Sequence, residues 1–332
     1  MTTMKRRQFL QFSAAAAAGL AAPQLAAPGV AWGQSYPTRP VRIIVPFGPG
    51  GPADIPARFI AQRLTENLGR NFLVENIAGA SSNIGTAQAA RAMADGYTIL
   101  ITVNNLVINP SLFEKVSFDP YKDFDPIVLA VTFASAFAVH PSVPAKTVKE
   151  LIEVIRANPG KYSYASAGLG TPSHLLGEQF RVTHDLDIVH VPYGGSGPAI
   201  TATVSGHTPI CFASITTAAP QAKDGKLRVL AVMSKKPSSS MPEAPTIAAA
   251  GFPGMEGEGW VGVLVPAGTP KDIAALLNKQ INEAMTLPEL KEKFAAAGLD
   301  IIGGTPEDFA GIMRTEGERW AKVIKAAGVK AK

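Results

Sequence analysis

One cysteine, Cys211, occurs in 332 residues, so no internal disulfide can form, and its distance from the N-terminal segment excludes a lipid anchor there. The five histidines show no metal-ligand spacing. Neither Gly-x-Ser-x-Gly nor His-Glu-x-x-His occurs, which removes two common hydrolase signatures. Gly168-Leu169-Gly170-Thr171-Pro172-Ser173 lacks the third glycine of a dinucleotide fingerprint, and the glycine-rich stretch Pro46 to Asp54 lacks the lysine of a phosphate loop. No cofactor and no metal are expected. Charge is also sparse: 17% of residues are charged, and Lys5, Arg6 and Arg7 supply most of the formal net charge of +5. No basic stripe interleaved with aromatics remains, which argues against a nucleic-acid partner. The richest apolar run, Ile127 to Val139, is too short to span a bilayer.

What is present is a hydrophobic fraction of 46%, enough for a globular chain with two domains. Residues 1–33 read as an export signal: Lys5-Arg6-Arg7-Gln8-Phe9-Leu10, an alanine-rich apolar run from Phe12 to Ala22, and small residues at Ala31 and Gly33 before Gln34. The Arg6-Arg7 pair is twin-arginine-like, with an ordinary secretory signal as the alternative. Either route predicts a periplasmic protein.

The remainder repeats one pattern. Val41 to Val45 reads as a buried strand, Pro46 to Asp54 as a rigid loop, and Ile55 to Leu68 as a helix. Asn71 to Asn76 then leads through Gly79 to Gly85 into a helix reaching Met93, and Tyr97 to Val103 is a near-continuous apolar run with the character of a central parallel strand, ending at Asn104-Asn105. From Pro110 to Pro126 the composition suits a surface connection. The passage to a second lobe falls within Ile127 to Val139, giving lobe 1 as residues 35–133 and 262–332 and lobe 2 as 134–261. In the second lobe Tyr162 to Ala165 runs into Ser166 to His174, and Asp187 to Tyr193 into Gly194 to Ala199, each a strand, a small-residue loop and a helix start. Thr147, Thr269-Pro270 and Thr305-Pro306 mark further helix starts, and the C-terminal helices are expected to pack on the first lobe. The fold class is α/β, with two lobes joined by two crossings and a cleft between them.

Four loops thus open helices whose first N–H groups lack internal partners and carry roughly half a positive charge, which makes each an anion seat. Candidate ligand contacts are Phe47, Gly50, Gly51 and Asp54 in the first loop, Ala80, Ser81, Ser82 and Asn83 in the second, and Asn104 after the third strand. In the second lobe they are Ser166, Gly168, Thr171, Ser173, His174, Tyr193, Gly195 and Ser196. Several have a plainer reading. Asp54 fits an N-cap, the serines and threonines fit helix caps, His174 fits a core edge, and Phe47 and Tyr193 fit core packing. Cys211 lies in an apolar segment and should be buried and inert.

Tyr36-Pro37-Thr38-Arg39-Pro40 with the strand that follows, Asp95-Gly96-Tyr97-Thr98-Ile99-Leu100, His190-Val191-Pro192-Tyr193 and Pro266-Ala267-Gly268-Thr269-Pro270 resemble the tripartite tricarboxylate transporter substrate-binding receptors, the Bug family, over essentially the whole mature chain. The resemblance implies a periplasmic receptor of type II binding-protein fold that closes on a small organic carboxylate and delivers it to the permease subunits of such a transporter. A monomer is expected, and no catalysis. A ligand-presenting sensor partner and an exported enzyme are the alternative functions. Three departures bear on the ligand: Gly48 within Pro46 to Gly51, Ser81-Ser82 where the family has glycines, and Gly194 where it often has lysine. Replacing Arg6 and Arg7 with lysine should retain the precursor inside the cell, measured by fractionation, whereas normal periplasmic yield would assign the general secretory route.

Overall fold

The computed structural model describes residues 36–238 and 240–331, so the export signal read from residues 1–33 lies outside the described residues. β1 (Val41–Val45) leads to α1 (Asp54–Leu68), β2 (Phe72–Asn76) to α2 (Asn83–Ala90), and β3 (Thr98–Val103) to α3 (Asn105–Leu112). β4 (Phe124–Phe133) is followed by β5 (Ser135–Val139), α4 (Val148–Arg156), β6 (Tyr162–Ser166) and α5 (Pro172–Thr183). Then come β7 (Ile188–Pro192), α6 (Ser196–Val204), β8 (Ile210–Ser214), α7 (Ile215–Lys223) and β9 (Arg228–Val232). The chain ends with β10 (Gly259–Pro266), α8 (Lys271–Met285), α9 (Pro288–Ala296), β11 (Asp300–Ile301) and α10 (Pro306–Ala327).

Two sheets form, in the orders β11-β4-β10-β3-β1-β2 and β7-β6-β8-β5-β9. β1 lies parallel between β2 and β3, and β6 lies parallel between β7 and β8. Every residue of β3 is buried, which fits a sequence that is apolar apart from Thr98 and Thr102. The apolar run Ile127 to Val139 is two strands, one in each sheet, and the chain crosses at Ala134. It returns through residues 233–258 to β10, which pairs antiparallel with both β3 and β4.

Two local readings need correction. The stretch expected as a surface connection from Pro110 is preceded by α3 and includes its end: Pro110 lies in its last turn, where it forgoes the bond back to the Leu106 carbonyl, and the helix ends two residues later at Leu112. A helix does start after Thr269-Pro270, α8 beginning at Lys271, but no side-chain cap forms there, since the Thr269 hydroxyl donates to the Pro266 carbonyl (2.7 Å). Thr305 does build the expected reciprocal cap with Asp308: its Oγ1 accepts from the Asp308 N–H (3.1 Å) and the Asp308 carboxylate accepts from the Thr305 N–H (3.2 Å).

The C-terminal helices divide between the lobes. Leu277 and Ile281 of α8 and Phe294 of α9 join the core under the first sheet, as expected. The last helix reaches further. Its Phe309 and Met313 pack with Trp260 and Leu264 of the first sheet, while Trp320 and Ile324 enter the core of the second with Phe137, Phe180 and Phe212. The reason is length and face: α10 has 22 residues, and its apolar positions recur on one side along its whole length. Trp320 is fully buried and donates its indole N–H to Glu316 (2.7 Å). Trp320→Ala should therefore destabilise the protein by about 3–5 kcal/mol, read as a lower midpoint in denaturant; a change within experimental scatter would mean α10 does not hold the second core.

Candidate functional site

The carboxyl ends of β1, β3, β4, β6, β7 and β8 converge, as ligand sites in open α/β sheets do. They enclose a cavity of about 390 Å³, bordered by Phe47 and Gly51 from the first loop, Val103 at the end of β3, Asn105 just beyond it, and Phe133 at the crossing. Ser135, Thr171, Ser173, Gly195, Ser196 and Ser214 complete it from the second sheet. None of the described residues lining it is charged.

The first loop is braced from within. Asp54 is neither N-cap nor exposed acceptor. It is the first residue of α1 and only 2% exposed; Oδ2 accepts from the Gly50 N–H (2.8 Å) and Arg58 Nε (2.9 Å), and Oδ1 from Asn76 Nδ2 (2.8 Å). Burial alone would raise its pKa, but the hydrogen bonds from Arg58, Gly50 and Asn76 together hold the carboxyl below the usual range. The loop thereby keeps Phe47 and Gly51 at the cavity, while Gly50 borders an adjoining space of about 520 Å³ that shares Gly51, Gly195 and Ser196.

The second loop stands apart from the cavity. Ala80, Ser81 and Ser82 all take left-handed backbone angles, with φ of 45°, 51° and 80°, a conformation that costs non-glycine residues roughly 1–2 kcal/mol each. Buried Asn109 holds the turn by donating to the Ser81 carbonyl (2.7 Å) and to Asn83 Oδ1 (2.7 Å). Ser82 is 2% exposed behind it, and Ser81 Oγ donates to the Leu169 carbonyl of the second lobe (3.4 Å). Ala80 and Asn83 border an outer groove beside Arg91 and Lys115. Of the two amides after β3, Asn105 lines the cavity and Asn104 does not. Asn104 is fully buried, with Oδ1 accepting from the Trp260 N–H (2.8 Å) and Nδ2 near the Glu258 carbonyl (3.3 Å).

In the second lobe Thr171 caps α5, its Oγ1 accepting from the His174 N–H (3.4 Å) and donating to the Gly168 carbonyl (2.7 Å). Ser173 Oγ accepts from the Ala167 N–H (3.0 Å). Both still border the cavity. Ser166, Gly168 and His174 lie beneath it. Ser166 Oγ bonds His190 Nε2 (2.7 Å), His174 Nδ1 accepts from the Gly170 N–H (3.1 Å), and the two imidazoles stack with centroids 4.0 Å apart. Tyr193 turns its hydroxyl to Thr208 (2.8 Å) and packs on an alanine-rich cluster. Ser196 Oγ accepts from the Ser214 N–H (3.1 Å), locking the start of α6 to β8.

The candidate contacts read from the sequence left out Ser135, Phe133, Ser214 and Asn105, the last although both amides after the third strand were noted. The crossing at Ala134 places the residues on either side of it at the mouth of both sheets, and a strand break inside an apolar run was the available signal. Cys211 is buried and free, and burial pushes its thiol up to about 12.

Comparison with known proteins agrees over nearly the full length. A family model described as the tripartite tricarboxylate transporter family receptor matches residues 56–329. The protein BugT of Bordetella pertussis is 34% identical over 319 residues, covering 96% of each chain. Among solved structures, R. palustris Rpa4515 with adipate superposes with a TM-score of 0.79 at 33% identity, covering 89% of this chain and 99% of its own. The periplasmic binding protein BugD gives 0.77 at 33% identity, covering 90% and 100%.

The stacked histidines under the α5 loop carry a pH consequence. Burial first, then His190 and Arg181, bring His174 down to about 3, and burial brings His190 down to about 4 against the pull of Glu178. Both stay neutral in the fold, whereas in the unfolded chain they take up protons near the ordinary value of 6.5. The unfolded state therefore binds more protons below that pH, and stability should fall as pH drops from 6.5 towards 4. His190→Gln should show a shallower decline in melting temperature across that window; an identical slope would contradict the buried neutral pair.

Proposed function

The chain belongs to the tripartite tricarboxylate transporter receptor family, and on that premise we propose that it captures a small organic carboxylate in the cavity between its sheets and delivers it to a membrane permease. It is a solute-binding receptor and not an enzyme, as its family and solved relatives are. The observation that carries the carboxylate reading is an uncharged cavity bordered by two helix starts of the second lobe, α5 and α6, neither with an acidic residue in its first turn. Such ends favour an anion by about 0.3–1 kcal/mol each, and up to ~2 when partly buried. The relative solved with adipate supports the same ligand class. The periplasm is the place of action, in keeping with a relative described as periplasmic and with the twin-arginine-like segment before Gln34.

In this reading Phe47, Gly51, Thr171, Ser173, Gly195 and Ser196 border the ligand, whereas Asp54, Asn104, Ser166 and His174 shape the loops that present them. A ligand that touches both lobes stabilises the closed arrangement by its differential affinity.

A screen of carboxylic acids by thermal shift should find acids that raise the melting temperature by mass action, and their methyl esters should not. Gly194→Val tests the place. A Cβ there meets open space, and the backbone does not share the left-handed φ of +138° at Gly195, so the fold should be retained while the ligand-dependent shift is lost. An ester that stabilises as well as its acid, or a Gly194→Val variant that responds normally, would overturn the assignment.

A further inference from the structure

The two walls of the cavity differ in chemistry. From the first lobe come Phe47, Pro49, Pro52, Val103 and Phe133, with Asn105 as the one polar side chain. From the second come five hydroxyls: Ser135, Thr171, Ser173, Ser196 and Ser214. The helix ends differ in charge as well, although unpaired N–H groups remain on both sides, those of Gly48, Gly51 and Ala53 in the first loop having no acceptor among the described residues. In the first loop the Gly50 N–H is taken by Asp54, whose carboxylate sits in the first turn of α1 and offsets the positive end of that helix. In the second lobe the N–H groups of Gly194, Gly195 and Ser196 have no acceptor among the described residues, and α6 has no acidic residue in its first turn.

A second observation points to the same end. Ser135 is only 3% exposed and borders the cavity, yet its hydroxyl has no hydrogen-bond partner among the described residues. Its oxygen faces the open cavity instead of the packed core, so it is free to bond water or a ligand there. Ser135 pairs in register with Ser214, and the Ser214 N–H is bonded to Ser196 at the start of α6, so the free hydroxyl and the free N–H groups belong to one region of the wall.

Building on the carboxylate reading above, the geometry points to a ligand with a single carboxylate and an apolar body. The carboxylate lies on the α6 start and Ser135 Oγ, and the body lies against Phe47, Val103 and Phe133. A second carboxylate would be carried towards the apolar wall and the offset end of α1, where no cationic side chain lines the cavity to meet it. Moving a charge out of water without a partner is strongly unfavourable. Asn105 leaves room for a neutral polar group on the body, such as a hydroxyl or a carbonyl.

Calorimetry on the purified protein at neutral pH, with hexanoate and adipate as a pair of equal chain length and with benzoate and citrate beside them, tests the assignment. Hexanoate and benzoate should each bind at least about tenfold tighter than adipate or citrate. Ser135→Ala should weaken all bound acids by a similar factor, roughly threefold to tenfold, as for one lost hydrogen bond. Phe133→Ala should weaken benzoate while leaving acetate nearly unchanged, a split that a general loss of fold would not give. Adipate binding tighter than hexanoate would overturn the single-carboxylate assignment and leave the receptor reading standing. Failure of all these acids to bind would overturn both.

Discussion

Backbone N–H groups at the start of a helix must find acceptors, and the arrangement of this protein follows from where it supplies them and where it does not. Parallel strands feeding helices bring several such starts to the carboxyl edges of two sheets, and the crossing at Ala134 sets those edges face to face. At α1 the chain supplies its own acceptor, Asp54, and gains a rigid loop. At α6 no acceptor for the Gly194, Gly195 and Ser196 N–H groups is found among the described residues. On the proposed reading this is the anion seat, in a cavity that no charged side chain among the described residues lines and whose opposite wall is largely apolar.

Holding such loops still requires buried polar groups bonded across the chain, although the Asn109 Oδ1 itself finds no partner among the described residues. Asn109 ties down three consecutive left-handed residues, Asn104 joins the end of β3 to β10, and the Ser166, His190 and His174 cluster underpins the loop before α5. Each network lies a layer behind the cavity and leaves its surface to small residues, hydroxyls and rings. The last helix adds a different constraint, since it contributes Phe309 to one core and Trp320 to the other. Relative movement of the lobes must therefore keep that end of the molecule packed while the loops at the cavity approach or part.

Period and punctuation made the fold readable in advance. β-branched runs ending at proline or glycine, each followed by an apolar helical stripe, located the parallel units, and the near-continuous apolar run of β3 announced a central strand. What local pattern did not disclose was which amide or hydroxyl of a loop turns inward. Asn104 and Asn105 are neighbours of like chemistry, yet one is consumed by Trp260 and the other borders the cavity. Asp54, Ser166 and His174 look like ligand contacts because they sit in the right loops, but partners distant in sequence, such as Asn76 and His190, claim them. Ser135 and Phe133 matter only because a strand changes sheets between them, and that is a tertiary fact. The motif resemblance to a receptor family supplied the ligand class, which composition alone did not.

The central claim is that neutral donors, chiefly backbone N–H groups of the second lobe, hold a carboxylate in its charged form. The most direct measurement is the ionisation of the bound ligand: the tightest-binding acid, labelled with carbon-13 at its carboxyl, titrated by nuclear magnetic resonance in complex with the protein. Donors aimed at the charged form lower a carboxyl pKa, whereas burial without them raises it. The account predicts a bound carboxyl that stays ionised to a lower pH than the free acid. A bound carboxyl that takes up its proton at a higher pH than the free acid would contradict it.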